Sequence, residues 1–446
     1  MAENTREIVL DTLLVLERGE EFSHRLIKAV LDKYNYLEER DKAFIKRLTE
    51  GTIERQIELD HYLNQCSSVP VRKMKPLIRC LMRMSVYQLL YMDNVPDSAV
   101  CNEACKLAQK RKFGNLKGFI NGVLRNLARQ KESLSLPDRK TYPQEYLSVK
   151  YSMPLWLVER WMESYGEERA QKLLEGLLEI HPVSLRFRTD LPETERGTLI
   201  DAMEQSGVKL CKSSLSPYVY TVENTENISG LPGFAQGKFV VQDVSSVLAV
   251  EAAGIRAGDF VVDLCAAPGG KSILAAERAG DAGKVLSRDV SEGKVSLIRD
   301  NIDRMGMRNI EVSVFDATGT DQTLVGKADV VLADLPCSGL GVMGKKRDIK
   351  YHMSPKKIAN IVGLQREIIE SSWQYVKPGG VLLYSTCTIN PEENEEAVRW
   401  IVEHFPFEME EERQFMPGED EADGFYYARL RRRENGCEIP VLEGAD

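Results

Sequence analysis

Between Gly237 and about His404 the chain alternates short apolar runs with helical stretches, and this alternation constrains its fold more than any other feature. Strand-like runs stand at Phe260–Leu264, Val285–Asp289, Ile310–Phe315, Val330–Asp334 and Val381–Ser385. Helical periodicity occupies Gly270–Ala279, Glu292–Met305, Pro355–Val376 and Glu392–His404. Such an order predicts a doubly wound α/β domain over 237–446. From Thr5 to about Gln130 apolar residues instead recur at three and four, as at Leu10, Leu13 and Leu14 and again at Leu77, Leu81 and Met84. Only Gly51, Pro70, Pro96 and Gly114 punctuate that text, so residues 1–138 are expected to form an all-α bundle of six or seven helices. Residues 139–236 change character. A helical stretch carrying Leu155, Val158, Trp161 and Met162 gives way to strand-like Val183–Arg188, a helix near Glu193–Gly207 and a β segment at Tyr218–Val222, which reads as a small α+β module.

The first twenty residues read as an amphipathic helix and no apolar run reaches bilayer length, so no leader, no membrane span and a cytoplasmic location are expected. The nine cysteines include no Cys-x-x-Cys pair, and the histidines (His24, His61, His181, His352, His404) lack ligand spacing, so neither a disulfide framework nor a metal is expected. Charge is unevenly spread. The net value is −9, yet residues 71–150 hold 16 Lys/Arg against 6 Asp/Glu, while residues 401–446 hold 5 against 13. A basic block inside an acidic protein suits a phosphate-binding face, although a solvated helical surface would look the same. Three clusters stand out: Arg72, Lys73, Lys75, Arg79 and Arg83; Lys110, Arg111, Lys112 and Lys117; and Lys345, Lys346, Arg347 and Lys350. The first two are expected to grip phosphates at a distance and the third to orient a strand entering the site.

The segment from Val261 through Asp263, Leu264, Cys265, Ala266, Ala267, Pro268, Gly269 and Gly270 to Lys271 runs from a strand through a glycine-rich turn into a helix. Ligands of such sheets sit beyond the carboxyl ends of the strands, and a glycine lets backbone approach them closely. A phosphate-binding loop would need Gly-x-x-x-x-Gly-Lys-Ser/Thr, but Cys265 stands where its first glycine belongs. The dinucleotide pattern Gly-x-Gly-x-x-Gly is also absent. What remains is a nucleoside without a phosphate chain, with S-adenosyl-L-methionine the leading candidate. Asp289, ending the next strand, is placed to accept the ribose hydroxyls, and Asp316, after the third, to meet the adenine amino group.

Cys337, in Asp334-Leu335-Pro336-Cys337-Ser338-Gly339, and Cys387, in Ser385-Thr386-Cys387-Thr388, both follow apolar strands on the side of the sheet where the glycine-rich loop lies. A lone cysteine is usually a small buried hydrophobe, which is the reading for Cys66, Cys80, Cys101, Cys105, Cys211 and Cys437. Two at strand ends beside a nucleoside pocket fit a harder reaction. Carbon 5 of cytosine attacks a sulfonium methyl only after a thiolate has added to carbon 6. A base must then remove the carbon-5 proton, and Asp334 can hydrogen-bond N3 and the amino group of the charged adduct. Methylation of an exocyclic amine would need no thiol.

These segments, with Ile389-Asn390-Pro391-Glu392-Glu393-Asn394-Glu395, resemble the RNA 5-methylcytosine methyltransferases. The stretches Asp93–Pro96, Asn102–Ala104 and Gly118–Arg125 resemble the NusB-like domain that precedes the catalytic part in the bacterial RsmB (Sun/Fmu) family. Tyr151–Trp156, Gln242–Ser246 and Asp423–Ala428 match that family too, so the likeness spans essentially the whole chain. The resemblance implies a NusB-like bundle, a small α+β module and a Rossmann-like class I methyltransferase domain acting on 16S ribosomal RNA as a monomer. It further implies Cys387 as nucleophile, Cys337 as the group assisting product release, and Cys265 to Lys271 with Asp289, Asp316 and Asp334 around the cofactor. Lys271 would hold Asp334 or the target base. The departures are Ser272 for threonine, Leu335 for a smaller residue, Arg288 before Asp289, and Arg188 for asparagine. Two other readings stay open: an RNA-binding assembly factor keeping the catalytic domain as a scaffold, and an enzyme acting on transfer RNA.

Overall fold

In the computed structural model, which describes residues 4–19, 21–179, 182–225 and 227–434, the chain forms two compact units. One comprises residues 1–178 together with 343–352, and the other 179–342 with 353–446. The expected divisions at 138/139 and 236/237 therefore fall inside units. His181 and Cys437 lie outside the described residues. Among those described, no helix is long and apolar enough to cross a membrane.

The first unit opens with seven helices, Thr5–Glu17, Ser23–Lys33, Glu39–Glu54, Gln56–Cys66, Pro76–Tyr91, Asp97–Lys110 and Lys117–Arg129. Asn4 caps the first, its side-chain oxygen accepting from the N–H groups of Arg6 and Glu7. The apolar stripes read from the sequence converge: Leu10, Leu48, Leu59, Leu81, Ile120 and Leu124 are fully buried in one core. The helix with Leu157, Val158 and Trp161 belongs to this unit as well, and not to the α+β module.

The third basic cluster departs from expectation. Residues 343–352 pack within the helical unit, where Arg347 pairs with Glu50 and Glu54 at 3.1 Å each. Lys350 is buried and donates from Nζ to the carbonyl of Glu54 at 2.8 Å. Asp348 accepts from the N–H and the hydroxyl of Ser23 at 2.6 and 2.7 Å, holding the start of the second helix. Arg347 and Lys350 thus brace this unit, their charge or donors met by protein partners. Lys346 alone of the four is fully exposed. In the other clusters Arg79 pairs with Glu17, Arg83 with Asp60, Lys110 with Glu7, and Arg111 with Glu7 and Asp11. Arg72, Lys73, Lys75, Lys112 and Lys117 keep exposed side chains.

The second unit holds two sheets. The smaller has four antiparallel strands in the order Lys209–Lys212, Val219–Glu223, Val183–Phe187, Phe239–Val241. Cys211 stands on its edge strand and is exposed, contrary to the buried reading, and Cys66 is only half-buried. Cys80, Cys101 and Cys105 are buried as expected.

The larger sheet comprises β1 (Phe260–Asp263), β2 (Lys284–Asp289), β3 (Ile310–Val314), β4 (Ala328–Asp334), β5 (Val376–Thr386), β6 (Phe407–Phe415) and β7 (Phe425–Arg432), in the order β6-β7-β5-β4-β1-β2-β3. β1 to β5 are parallel, and β7 and β6 close the sheet antiparallel. The first five match the strands read from the sequence. β6 has no clear strand signal in the sequence because four of the nine residues of Phe407–Phe415 are glutamates and the apolar residues do not alternate. It pairs instead through charge, Glu410 meeting both Arg429 and Arg431 across the ladder.

Candidate active site

The carboxyl ends of β1, β2, β4 and β5 deliver Asp263, Asp289, Asp334 and, one residue past β5, Cys387 to one side of the sheet. After β1 the chain turns through Cys265–Gly269 into the helix Gly270–Ala279. Gly269 takes φ +103°, a left-handed conformation that favours glycine, although an added Cβ would only touch Ile298 at 3.4 Å. The loop is tied to β2 twice: Ala266 N–H donates to the carbonyl of Arg288 at 2.8 Å, and Ala267 N–H to Asp289 Oδ2 at 3.1 Å. Asp289 is buried, with Oδ1 also accepting from Val290 N–H and meeting Lys294 at 2.9 Å. Asp316 lies two residues beyond β3, exposed, its Oδ1 held by the N–H and hydroxyl of Thr318.

Asp263 is fully buried. Burial pushes its carboxyl up to about 7, against the hydroxyl of Ser272, which donates to Oδ2 at 2.6 Å. The substitution of serine for threonine thus keeps the needed hydroxyl. Burial likewise pushes the Cys265 thiol up.

Lys271 and Asp334 form the central ion pair at 2.8 Å. Asp334 Oδ1 also accepts from Ser385 at 2.8 Å, a residue directly opposite it in the β4–β5 register. The Lys271 ammonium donates to Ser246 at 3.2 Å and lies 5.1 Å from the centre of the Phe425 ring. Burial lowers the basicity of Lys271, but the charge of Asp334 and its hydrogen bond more than restore it, and Asp263 and Cys387 act in the same direction. The cation is therefore retained.

Cys337 and Cys387 come together with their Sγ atoms 3.1 Å apart, hydrogen-bonded and not disulfide-linked. The bond to Cys387 and burial drive the Cys337 thiol well above the ordinary range, and Glu393 adds to that shift. Glu393 is a residue to which sequence reasoning gave no role. It is fully buried and accepts from Ser338 N–H at 2.8 Å, Ser338 Oγ at 2.5 Å and Asn390 Nδ2 at 2.9 Å. One side chain thus braces the Cys337 turn against the turn after Cys387. A second brace is a backbone crossing. Gly341 N–H donates to the carbonyl of Cys387 at 3.1 Å and Gly424 N–H to that of Gly341 at 2.9 Å, so close that a side chain on Gly341 would fall 1.9 Å from Gly424. The signal for both braces was present in the stretches Asn390–Glu395 and Asp423–Ala428, but nothing local said what they touch. Arg188 pairs with Asp190 and donates to the carbonyl of Met305.

Residues 252–431 match the model of the family described as 16S rRNA methyltransferase RsmB/F, and residues 3–129 that of the NusB family. The chain is 33% identical to the probable ribosomal RNA small subunit methyltransferase B of Bacillus subtilis, over 96% of this chain and 99% of that one. It is 31% identical to ribosomal RNA small subunit methyltransferase B of Vibrio cholerae, over 93% and 94%. Among solved structures, the crystal structure of PH0851 aligns with a TM-score of 0.80 at 26% identity, covering 97% of this chain and 100% of that one. With its glycine-rich loop, strand-end acids and paired cysteines beyond the carboxyl ends of the parallel strands, and with relatives matched along nearly its full length, the chain belongs to the RsmB/F family of S-adenosylmethionine-dependent methyltransferases.

Proposed function

We propose that the chain methylates carbon 5 of a cytosine in 16S ribosomal RNA through a covalent adduct on Cys387. The relatives are named for methylation of the small-subunit ribosomal RNA, which supports the substrate class. The observation that carries the finer reading is the pair of thiols 3.1 Å apart beside the Lys271–Asp334 ion pair. A transferase acting on an amine has no use for either sulfur.

In this reading Cys387 adds as thiolate to carbon 6 of the flipped-out cytosine, and the ring electrons shift to make carbon 5 nucleophilic. Asp334, fixed by Lys271 and Ser385, meets the N3 and amino edge of the base and stabilises the charge that develops there. The bound cofactor supplies an electrophilic methyl group on a sulfonium. After transfer, carbon 5 carries both a methyl and a proton. Cys337, in direct contact with Cys387, takes that proton onto its thiolate sulfur; the freed C–H electron pair re-forms the carbon 5–carbon 6 double bond and Cys387 leaves as thiolate. Lys271, held charged beside both Asp334 and Cys387, favours the anionic form of the nucleophile. Bisulfite sequencing of total RNA from cells with and without the gene tests the proposal. A single 16S cytosine that resists conversion only in cells carrying the gene is the expected result, and unchanged protection throughout 16S RNA overturns it.

A further inference from the structure

Beside the glycine-rich loop lies a small cleft of about 180 Å³ whose walls include Gln242, Asp263, Gly270 and Lys271. Two of its lining side chains are almost wholly buried yet each has one polar atom without a protein partner: Nε2 of Gln242, in a residue 6% exposed, and Oδ1 of Asp263, 0% exposed. A donor and an acceptor left unpaired at such depth cost free energy unless something else meets them.

The orientation of the Gln242 amide follows from its neighbour. Arg186, fully buried on the strand Val183–Phe187, donates from Nε to Gln242 Oε1 at 2.7 Å. A guanidinium has only donors, so the atom facing it must be the amide oxygen, and the NH2 group is turned the other way. Arg186 is held in turn by Glu277 of the loop's own helix, at 2.8 Å. The free NH2 group lies against Gly270, where an added Cβ would come within 3.7 Å of Nε2. It therefore stands at the amino end of the helix Gly270–Ala279, whose first N–H groups have no partner within the helix. The cleft thus offers neighbouring neutral donors to an anion and, from Asp263, an acceptor to a cation.

We propose that Gln242 reads the amino-acid end of S-adenosylmethionine, its Nε2 donating to the α-carboxylate while Asp263 Oδ1 accepts from the α-ammonium. Glu277 and Arg186 position that amide from behind. The proposal rests on the cofactor and not on the cytosine chemistry, so it stands or falls independently of the preceding reading.

Calorimetry on the full chain tests it with two probes that share the thioadenosine part: S-adenosylhomocysteine, which carries the amino-acid end, and 5′-methylthioadenosine, which lacks it. Gln242→Glu keeps an acceptor for Arg186 and replaces the free donor by an oxygen, so the packing survives. Its expected effect is a loss of about tenfold or more in affinity for S-adenosylhomocysteine, with 5′-methylthioadenosine held within about twofold. Gln242→Ala is expected to show the same selectivity with a smaller loss. Equal weakening of both probes, or unchanged binding of S-adenosylhomocysteine by Gln242→Glu, overturns the proposal.

Discussion

The Sγ atoms of Cys337 and Cys387 lie 3.1 Å apart, at the ends of two adjacent parallel strands. That separation lets one thiol share its proton with the other's thiolate, and it gives the two sulfurs different work in the proposed reaction. Replacing Cys387 by alanine should abolish methyl transfer and leave no protein–RNA adduct. Replacing Cys337 by alanine should instead let an adduct accumulate, visible as a slow band on a denaturing gel after incubation with 16S RNA and cofactor. A Cys337→Ala enzyme that turns over normally would remove the second sulfur from the mechanism.

Asp334 is gripped from both sides, by Lys271 and by Ser385. A carboxylate so placed stabilises charge without first reorganising. Asp334→Asn should therefore lower the single-turnover methylation rate by roughly 10²- to 10³-fold. Lys271→Met should do comparable damage, because it frees Asp334 and removes the cation beside Cys387. Rates within a few-fold of the wild type would show that the pair only supports the fold.

Glu393 stands behind Cys337, where burial raises its carboxyl above the usual range while the donors of Ser338 and Asn390 act to keep it charged. Its charge opposes ionisation of Cys337, though the bond to Cys387 and burial contribute more. Glu393→Gln in a Cys387→Ser background should shift the pH profile of Cys337 alkylation by iodoacetamide to lower pH, read residue by residue by mass spectrometry. A profile that stays in place would mean that Glu393 acts by bracing alone.

Burial pushes Lys350 down to about 7 in the folded protein, whereas an unfolded lysine titrates near 10.4. Between those values the unfolded chain binds the extra proton, so this residue makes stability rise as pH rises from about 7 toward about 10. Lys350→Met should remove that increment. Thermal unfolding should find the variant at its best relative to wild type near pH 7, with its advantage shrinking toward pH 10. A constant difference across that range would contradict the assignment.

Local residue patterns dictate the elements and the chemistry-bearing turns. Strand alternation, helical period, the glycine at Gly269 and the cysteines one and three residues past apolar strands are local properties, fixed by backbone geometry and side-chain spacing within a dozen residues. Hence β1 to β5 were legible, and so was the placing of Asp289, Asp334, Cys337 and Cys387 at or just beyond strand ends. Tertiary structure alone decided which charged and polar groups are consumed by packing. Lys350 and Arg347 look like solvated cations in the text, yet they close onto Glu54, nearly three hundred positions earlier. Gln242 gains its meaning from Arg186 and Glu277, and Glu393 from Ser338, each in a different segment. Acidic β6 pairs along β7, whose Arg429 and Arg431 meet Glu410 across the ladder. The energy of a charge depends on its burial and on the partner that meets it, and both are set by which distant segments the folded core brings together.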